Sequence, residues 1–199
     1  MQIESAVSYH ARFPPIAPDE TYHFWNVASN LPFASVRALG LCKLRRVFDS
    51  VLFTGVLLTF FGSAYYHPAP SDARLVWDRL PMTLVFMALL ACVVTGESEL
   101  PFSRLLLASL VTCGVASVLW WNLTNDLRFY VLIQFGPLLI LVPALWFVRD
   151  ARYLAAVLTF YALAKLAEFY DRAIFSALPI SGHTAKHILI FRWRLAAAR

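Results

Sequence analysis

The sequence is poor in charge. Of its 199 residues only 15% are charged, against about a quarter in soluble domains, while 60% are hydrophobic. That balance excludes an ordinary soluble globule and points to the membrane class. It has no acidic or basic tail and no RNA- or DNA-binding motif, so the net charge of +5 gives no reason to expect a nucleic-acid partner. In an apolar chain such an excess is better spent on orienting helices. Cysteine is scarce as well. Cys42, Cys92 and Cys113 are widely spaced, odd in number and without a CxxC, which excludes a disulfide framework and a thiolate metal site. They read as buried free thiols. The first eighteen residues are polar and carry Pro14, Pro15 and Pro18. They lack the basic start and apolar core of a cleaved signal peptide, so insertion is expected to be directed by the spans themselves.

Long apolar runs are present in quantity. A helix needs about twenty apolar residues to cross the hydrocarbon core. Val47–Tyr66, Leu80–Thr95, Leu105–Trp121, Phe129–Val148 and Leu154–Tyr170 meet that need, the second and third with help from flanking residues. Phe24–Cys42 is interrupted by Asn26, Ser29, Asn30 and Arg37, and His183–Trp193 is short and carries Arg192. The expectation is an all-α polytopic membrane protein forming a single domain over 1–199, with 1–20 as a polar leading segment. Alternating the strong spans puts loops 43–46, 96–104 and 149–152 on one face and 67–79, 122–128 and 171–182 on the other. The first set holds Lys43, Arg45, Arg46, Arg104, Arg149 and Arg152; the second holds Arg74, Arg79, Arg128 and Arg172. The positive-inside bias makes the first face cytoplasmic, the N-terminus outside and, if 183–193 crosses, the C-terminus cytoplasmic.

The same alternation gathers chemistry. Three of the chain's five histidines, His67, His183 and His187, fall at span ends on one face, with Asp78 at the mouth of the Leu80–Thr95 run. Ser63 and His67 are four apart, as are His183 and His187, so each pair shares one side of a helix. Three imidazoles with a fourth position left to water is the pattern of a catalytic zinc, with a nearby carboxylate free to take a proton and a hydroxyl free to hold an oxyanion. Ionisable groups in membrane helices are costly, which favours a site. Histidines that merely happen to lie at the interface are the competing reading, and the residues alone leave both open. Lys165 and Glu168, three apart, are expected to pair and fix helix packing. Trp77 and the Trp120–Trp121 pair read as interfacial belt residues.

Four stretches carry a resemblance: "FWNVASNL", "GSAYYH", "RLVWDRLPMT" and "SGHTAKH". Taken together and in this order, they make the chain similar to the alkaline ceramidase family, within the seven-helix membrane hydrolases that include the adiponectin receptors. The similarity extends over almost the whole chain. It implies seven transmembrane helices, with the two marginal spans promoted to helices. It implies a zinc ion held by His67, His183 and His187, with Asp78 activating the hydrolytic water and Ser63 stabilising the tetrahedral intermediate. The implied reaction cleaves the amide of a ceramide-like N-acyl lipid to a fatty acid and a long-chain amino base. A non-catalytic lipid receptor with a structural zinc is the alternative. Eukaryotic members also bind calcium through an acidic N-terminal cluster with a glutamate directly before Phe-Trp-Asn. Here that position is His23, although Asp19, Glu20 and Asn26 lie nearby. Oxygen ligands suit calcium and imidazole does not, so calcium is expected to bind poorly. Acyl-chain choice, head group and oligomeric state are not encoded in any motif of the chain.

Overall fold

A computed structural model of the chain describes residues 47–69, 71–96, 100–149, 151–170, 173–174 and 184. The described residues form helices α1 (Val47–Tyr66), α2 (Asp72–Thr95), α3 (Pro101–Thr124), α4 (Arg128–Phe135), α5 (Leu138–Ala144) and α6 (Ala151–Phe169), with no strand among them. Of these, α1, α2 and α3 are long and apolar enough to cross a membrane. The spans expected at Phe24–Cys42 and His183–Trp193 fall outside the described residues.

The ends of these helices are built locally. Ser71 is extended and caps α2, its Oγ accepting from the Arg74 backbone N–H at 3.3 Å. The Leu75 N–H donates to the Ser71 carbonyl at 2.8 Å. A helix therefore starts at Asp72, eight residues before the apolar run, and the connection from α1 shrinks to a few residues. Gly96, at φ 59°, closes the other end of α2 with its N–H on the Cys92 and Val93 carbonyls; only glycine takes that conformation at little cost. Pro101 opens α3, where a missing N–H does no harm, and Asn125 (φ 56°) ends it with its N–H on the Trp121 carbonyl.

The run read as one span, Phe129–Val148, is split. Pro137 has no N–H to offer the Ile133 carbonyl, so the hydrogen-bond ladder is interrupted at Gly136–Pro137 between α4 and α5, while both residues keep right-handed helical backbone angles. The last apolar run is helical as α6, but Arg152 and Lys165 lie within it. The Lys165 ammonium lies 5.9 Å from the centroid of the Phe135 ring, whereas the side chain of its expected partner Glu168 is outside the described residues.

Packing follows the logic of membrane helices, in which small residues let backbones approach and large apolar ones face outward. Buried positions include Gly55, Gly62, Ser63, Thr83, Ser103, Gly114 and Ser117, while Phe61, Leu105, Leu123, Leu139, Trp146 and Phe147 are exposed. A Cβ on Gly55 would meet Val85 Cγ2 at 2.9 Å, and one on Gly114 would meet Thr83 Cβ at 2.9 Å. Gly55 thus seats α1 on α2, and Gly114 seats α3 on α2. The buried hydroxyls satisfy themselves on their own helices: Thr83 Oγ1 donates to the Leu80 carbonyl at 2.8 Å and Ser117 Oγ to the Gly114 carbonyl at 2.7 Å. Two sequence expectations change here. Cys113 is exposed and Cys92 half-buried where both were expected to be buried, although neither is in a disulfide. Trp120 is 51% exposed, as a belt residue should be, but Trp121 is 1% exposed and belongs to the core. Neighbours in a helix point about 100° apart, so one indole meets lipid and the other meets protein.

Candidate functional site

The last turn of α1 and the second turn of α2 make the site. Ser63 and His67 lie one helical turn apart, linked by the His67 N–H donating to the Ser63 carbonyl at 3.0 Å. Both are buried, at 2% and 7% exposure. Their shared face turns inward because Gly62 is pressed against α2. A Cβ there would be driven into the Trp77 carbonyl oxygen and would lie 3.1 Å from the Asp78 Cα. The closeness has a cause on the partner helix as well. Pro81 sits four residues after Trp77 and has no N–H, so the Trp77 carbonyl has no helical donor and is left facing the Gly62 backbone. A Cα–H···O contact suits that geometry.

Two of the expected residues are thereby brought to one level. Asp78 is adjacent in sequence to the carbonyl that Gly62 meets, and Ser63 is adjacent to Gly62. Asp78 is not at a loop mouth, as its place before the apolar run suggested. It stands six residues into α2, about 9 Å along the axis from the helix start. Its backbone lies against Gly62, next to the buried Ser63–His67 turn, and the residue itself is half-buried. His183, His187, Asp19, Glu20 and Asn26 lie outside the described residues. Thr184, directly after His183, is helical and 2% exposed. No group of three metal-donor side chains gathers among the described residues, which hold one of the three expected imidazoles.

Around this face lies a polar and aromatic cluster that motif reading missed. Tyr66, Leu75, Val118, Trp121, Leu127 and Tyr130 form one buried core at the same end of the helices. The Tyr66 ring meets the His67 imidazole edge-on, with centroids 5.1 Å apart. The Arg79 guanidinium lies 4.7 Å from the centroid of the Tyr130 ring. The signal for this cluster was present in spacing: Asp72, Leu75, Val76 and Arg79 fall on one face of α2 once the helix is known to start at Asp72. Outside the core, Asp126 clamps the α3–α4 turn. Its carboxylate accepts from the Arg128 backbone N–H at 3.0 Å and from Arg128 Nη2 at 2.6 Å. These bonds hold the Asp126 carboxyl below its ordinary range.

Among the described residues the site offers one buried imidazole, that of His67, on the helix turn packed against the Asp78 turn of α2. Comparison with protein-family models, with curated proteins and with solved structures finds no match.

Proposed function

We propose that the protein is a zinc-dependent intramembrane hydrolase of N-acyl lipids, ceramide-like in kind, releasing a fatty acid and an amino alcohol base. The observation that carries this reading is the buried Ser63–His67 face held against the Asp78 turn by Gly62. A hydroxyl and an imidazole are expensive to bury together in an apolar bundle, next to a half-buried acidic residue, unless they serve chemistry. In this reading His67, His183 and His187 hold the metal. A bound zinc supplies Lewis acidity and lowers the pKa of its water towards about 7. Asp78 takes the proton of the attacking water and later returns it to the leaving amine. Ser63 donates a hydrogen bond to the amide oxygen as charge develops on it. The exposed apolar walls, Phe61 and Leu58 on α1 and Leu119 and Leu123 on α3, let a lipid approach from the side. The complete fold in this proposal has seven spans, with the N-terminus outside and the C-terminus cytoplasmic, and Asp19, Glu20 and Asn26 bind calcium poorly.

The test is chemical. Purified protein is incubated with a panel of N-acyl lipids, released fatty acid is measured, and zinc is counted in parallel. Asp78→Asn keeps the shape and is expected to retain about one zinc per chain while turnover falls roughly 10²–10⁴-fold. His67→Ala and His183→Ala are expected to lose zinc and activity together. Wild-type turnover in Asp78→Asn sinks the mechanism. Zinc bound with no lipid amide cleaved by the wild type favours the receptor with a structural metal.

A further inference from the structure

Arginines are used differently at the two ends of the bundle. Beside the site they are taken up by the protein itself. Arg74 Nη1 donates to the Tyr65 carbonyl at 3.4 Å, and its guanidinium lies over the Tyr65 ring. Arg79 lies over Tyr130, and Arg128 is paired with the Asp126 carboxylate. Around the turn from α5 to α6, at the far end, two arginines are not taken up in this way. Arg149 is exposed, and no acidic group among the described residues pairs with it. Arg152 is exposed too. Its Nη2 donates to the Tyr153 hydroxyl at 3.3 Å, with the guanidinium 4.8 Å from the centroid of that ring. A guanidinium carries five N–H donors, so most of those on Arg152 still face outward for a partner. Asp150, between the two in sequence, lies outside the described residues.

The turn that carries them is held in place. The Trp146 N–H donates to the Pro143 carbonyl at 3.1 Å, and the Phe147 and Val148 N–H groups both donate to the Ala144 carbonyl at 2.9 Å. Leu145 and Val148 pack against the cluster of Met87, Leu90, Leu141 and Leu154, as does Val93, two residues from the end of α2. The turn therefore sits level with the end of a membrane-length helix, where the headgroups begin. Trp146 and Phe147 lie between those two anchors and face away from the core, 77% and 87% exposed. Rings at that level sit among the headgroups and the upper acyl chains. A guanidinium beside them meets phosphate, whose geometry its planar fork matches. We propose that Trp146, Phe147, Arg149 and Arg152 form a binding site for the phosphate of an anionic phospholipid, in the leaflet away from Ser63 and His67. The rings hold the lipid body and the arginines select its charge. A free phosphate would meet the arginines but gain nothing from the rings, so the source of the phosphate is the lipid. The proposal goes beyond the hydrolase reading and does not depend on it.

The experiment counts bound lipid. Full-length protein in neutral detergent is mixed with equal amounts of phosphatidylglycerol and phosphatidylcholine of the same acyl chains, and native mass spectrometry reads the ratio of the two complexes. The wild type is expected to hold phosphatidylglycerol about 10-fold in preference, given the worth of two arginines at a charged surface. Arg149→Gln and Arg152→Gln are each expected to lower the preference about 3-fold, and the double variant to bring it close to equality. Arg74→Gln, whose arginine is folded onto Tyr65, is expected to leave it unchanged. The double variant Trp146→Ala and Phe147→Ala should weaken both lipids alike, because rings hold a lipid body whatever its charge. Equal binding of the two lipids by the wild type overturns the site. So does a preference that survives the loss of both Arg149 and Arg152, or one that Arg74→Gln removes as fully. Displacement of the lipid by an equal concentration of inorganic phosphate overturns it as well, since the ligand is then a free anion. If the alanine pair fails to fold, the exposed Arg→Gln variants still decide the matter.

Discussion

The two ends of the helix bundle are alike in their exposed rings and different inside. At one end Tyr65, Trp77 and Trp120 are exposed; at the other Phe102, Trp146, Phe147 and Tyr153 are. Aromatic rings suit the headgroup level of either leaflet, so the two sets of rings carry the same physics. The interiors do not. The first end buries Ser63, His67, Tyr66, Trp121 and Tyr130, together with the unsatisfied oxygen of Asp72. The second buries Phe48, Ala88, Ala91 and Leu107 in one cluster and Met87, Leu90, Leu141 and Leu154 in another. Burying polar groups costs free energy that aliphatic packing does not. One end holds the helices together, and the other spends some of that stability on a site.

Four variants and one control break or sharpen this contrast. The largest effect is expected from Gly62→Val, because the new side chain meets backbone, which cannot step aside. It should separate α1 from α2, with loss of zinc and activity and a destabilisation of about 3 kcal/mol or more in a detergent unfolding titration. Gly55→Ala is the milder control, since its nearest neighbour is the tip of Val85. Survival of Gly62→Val with normal stability would remove the close approach from the account. Next comes Ser63→Ala, expected to keep the fold and the zinc while turnover falls roughly 10²–10³-fold, as for a missing oxyanion donor. Full activity in that variant would break the functional end of the contrast.

At the aliphatic end the sign pattern should invert. Leu107→Ala is expected to cost about 2 kcal/mol of stability through the cavity it leaves, with turnover per folded molecule unchanged. A drop in turnover instead would mean the two ends are coupled. The smallest effect belongs to Asp126, at the rim. Its carboxyl is held below the ordinary range by bonds from Arg128, so its stabilisation is present above the unfolded value and disappears as pH falls through the depressed folded value. Asp126→Asn should flatten the acid limb of the melting curve slightly, and added salt should erase the difference, because the pair is solvent-exposed.

How far the sequence could be read varies by element. The bounds of α1 were legible to the residue, since Val47–Tyr66 is apolar over a full span length with Asp49 as its one charge. The Ser63–His67 spacing placed both on one face for the same reason. The start of α2 was not legible from hydropathy. Asp72, Arg74, Asp78 and Arg79 make its first two turns look like a loop, yet Ser71 caps them and two of the charges are absorbed by aromatic rings: Arg74 lies 4.8 Å from the Tyr65 centroid and Arg79 4.7 Å from that of Tyr130. A tertiary contact thus hid a helix from a local scale, and with it the depth of Asp78. The split of α4 from α5 was marked by Gly136–Pro137, but many membrane helices tolerate such a pair, so the residues alone did not decide it. Trp120 and Trp121 are the same residue twice, and only the helix phase separates a rim ring from a core ring.

The two glycines on α1 carry a consequence for insertions. Gly55 and Gly62 are seven residues apart, and the positions they meet on a helix running the other way, Leu84 and Val85 against Trp77, are seven and eight apart. Contacts repeating every seven residues against a helical repeat of 3.6 drift by about 20° per repeat, which winds such a pair gently to the left. Phase is therefore conserved along the seam as a count, not as a chemistry. A conservative substitution between Gly55 and Gly62 leaves the count intact. A single added or deleted residue there would rotate Ser63 and His67 about 100° away from α2, so this stretch should tolerate many spellings and only one length.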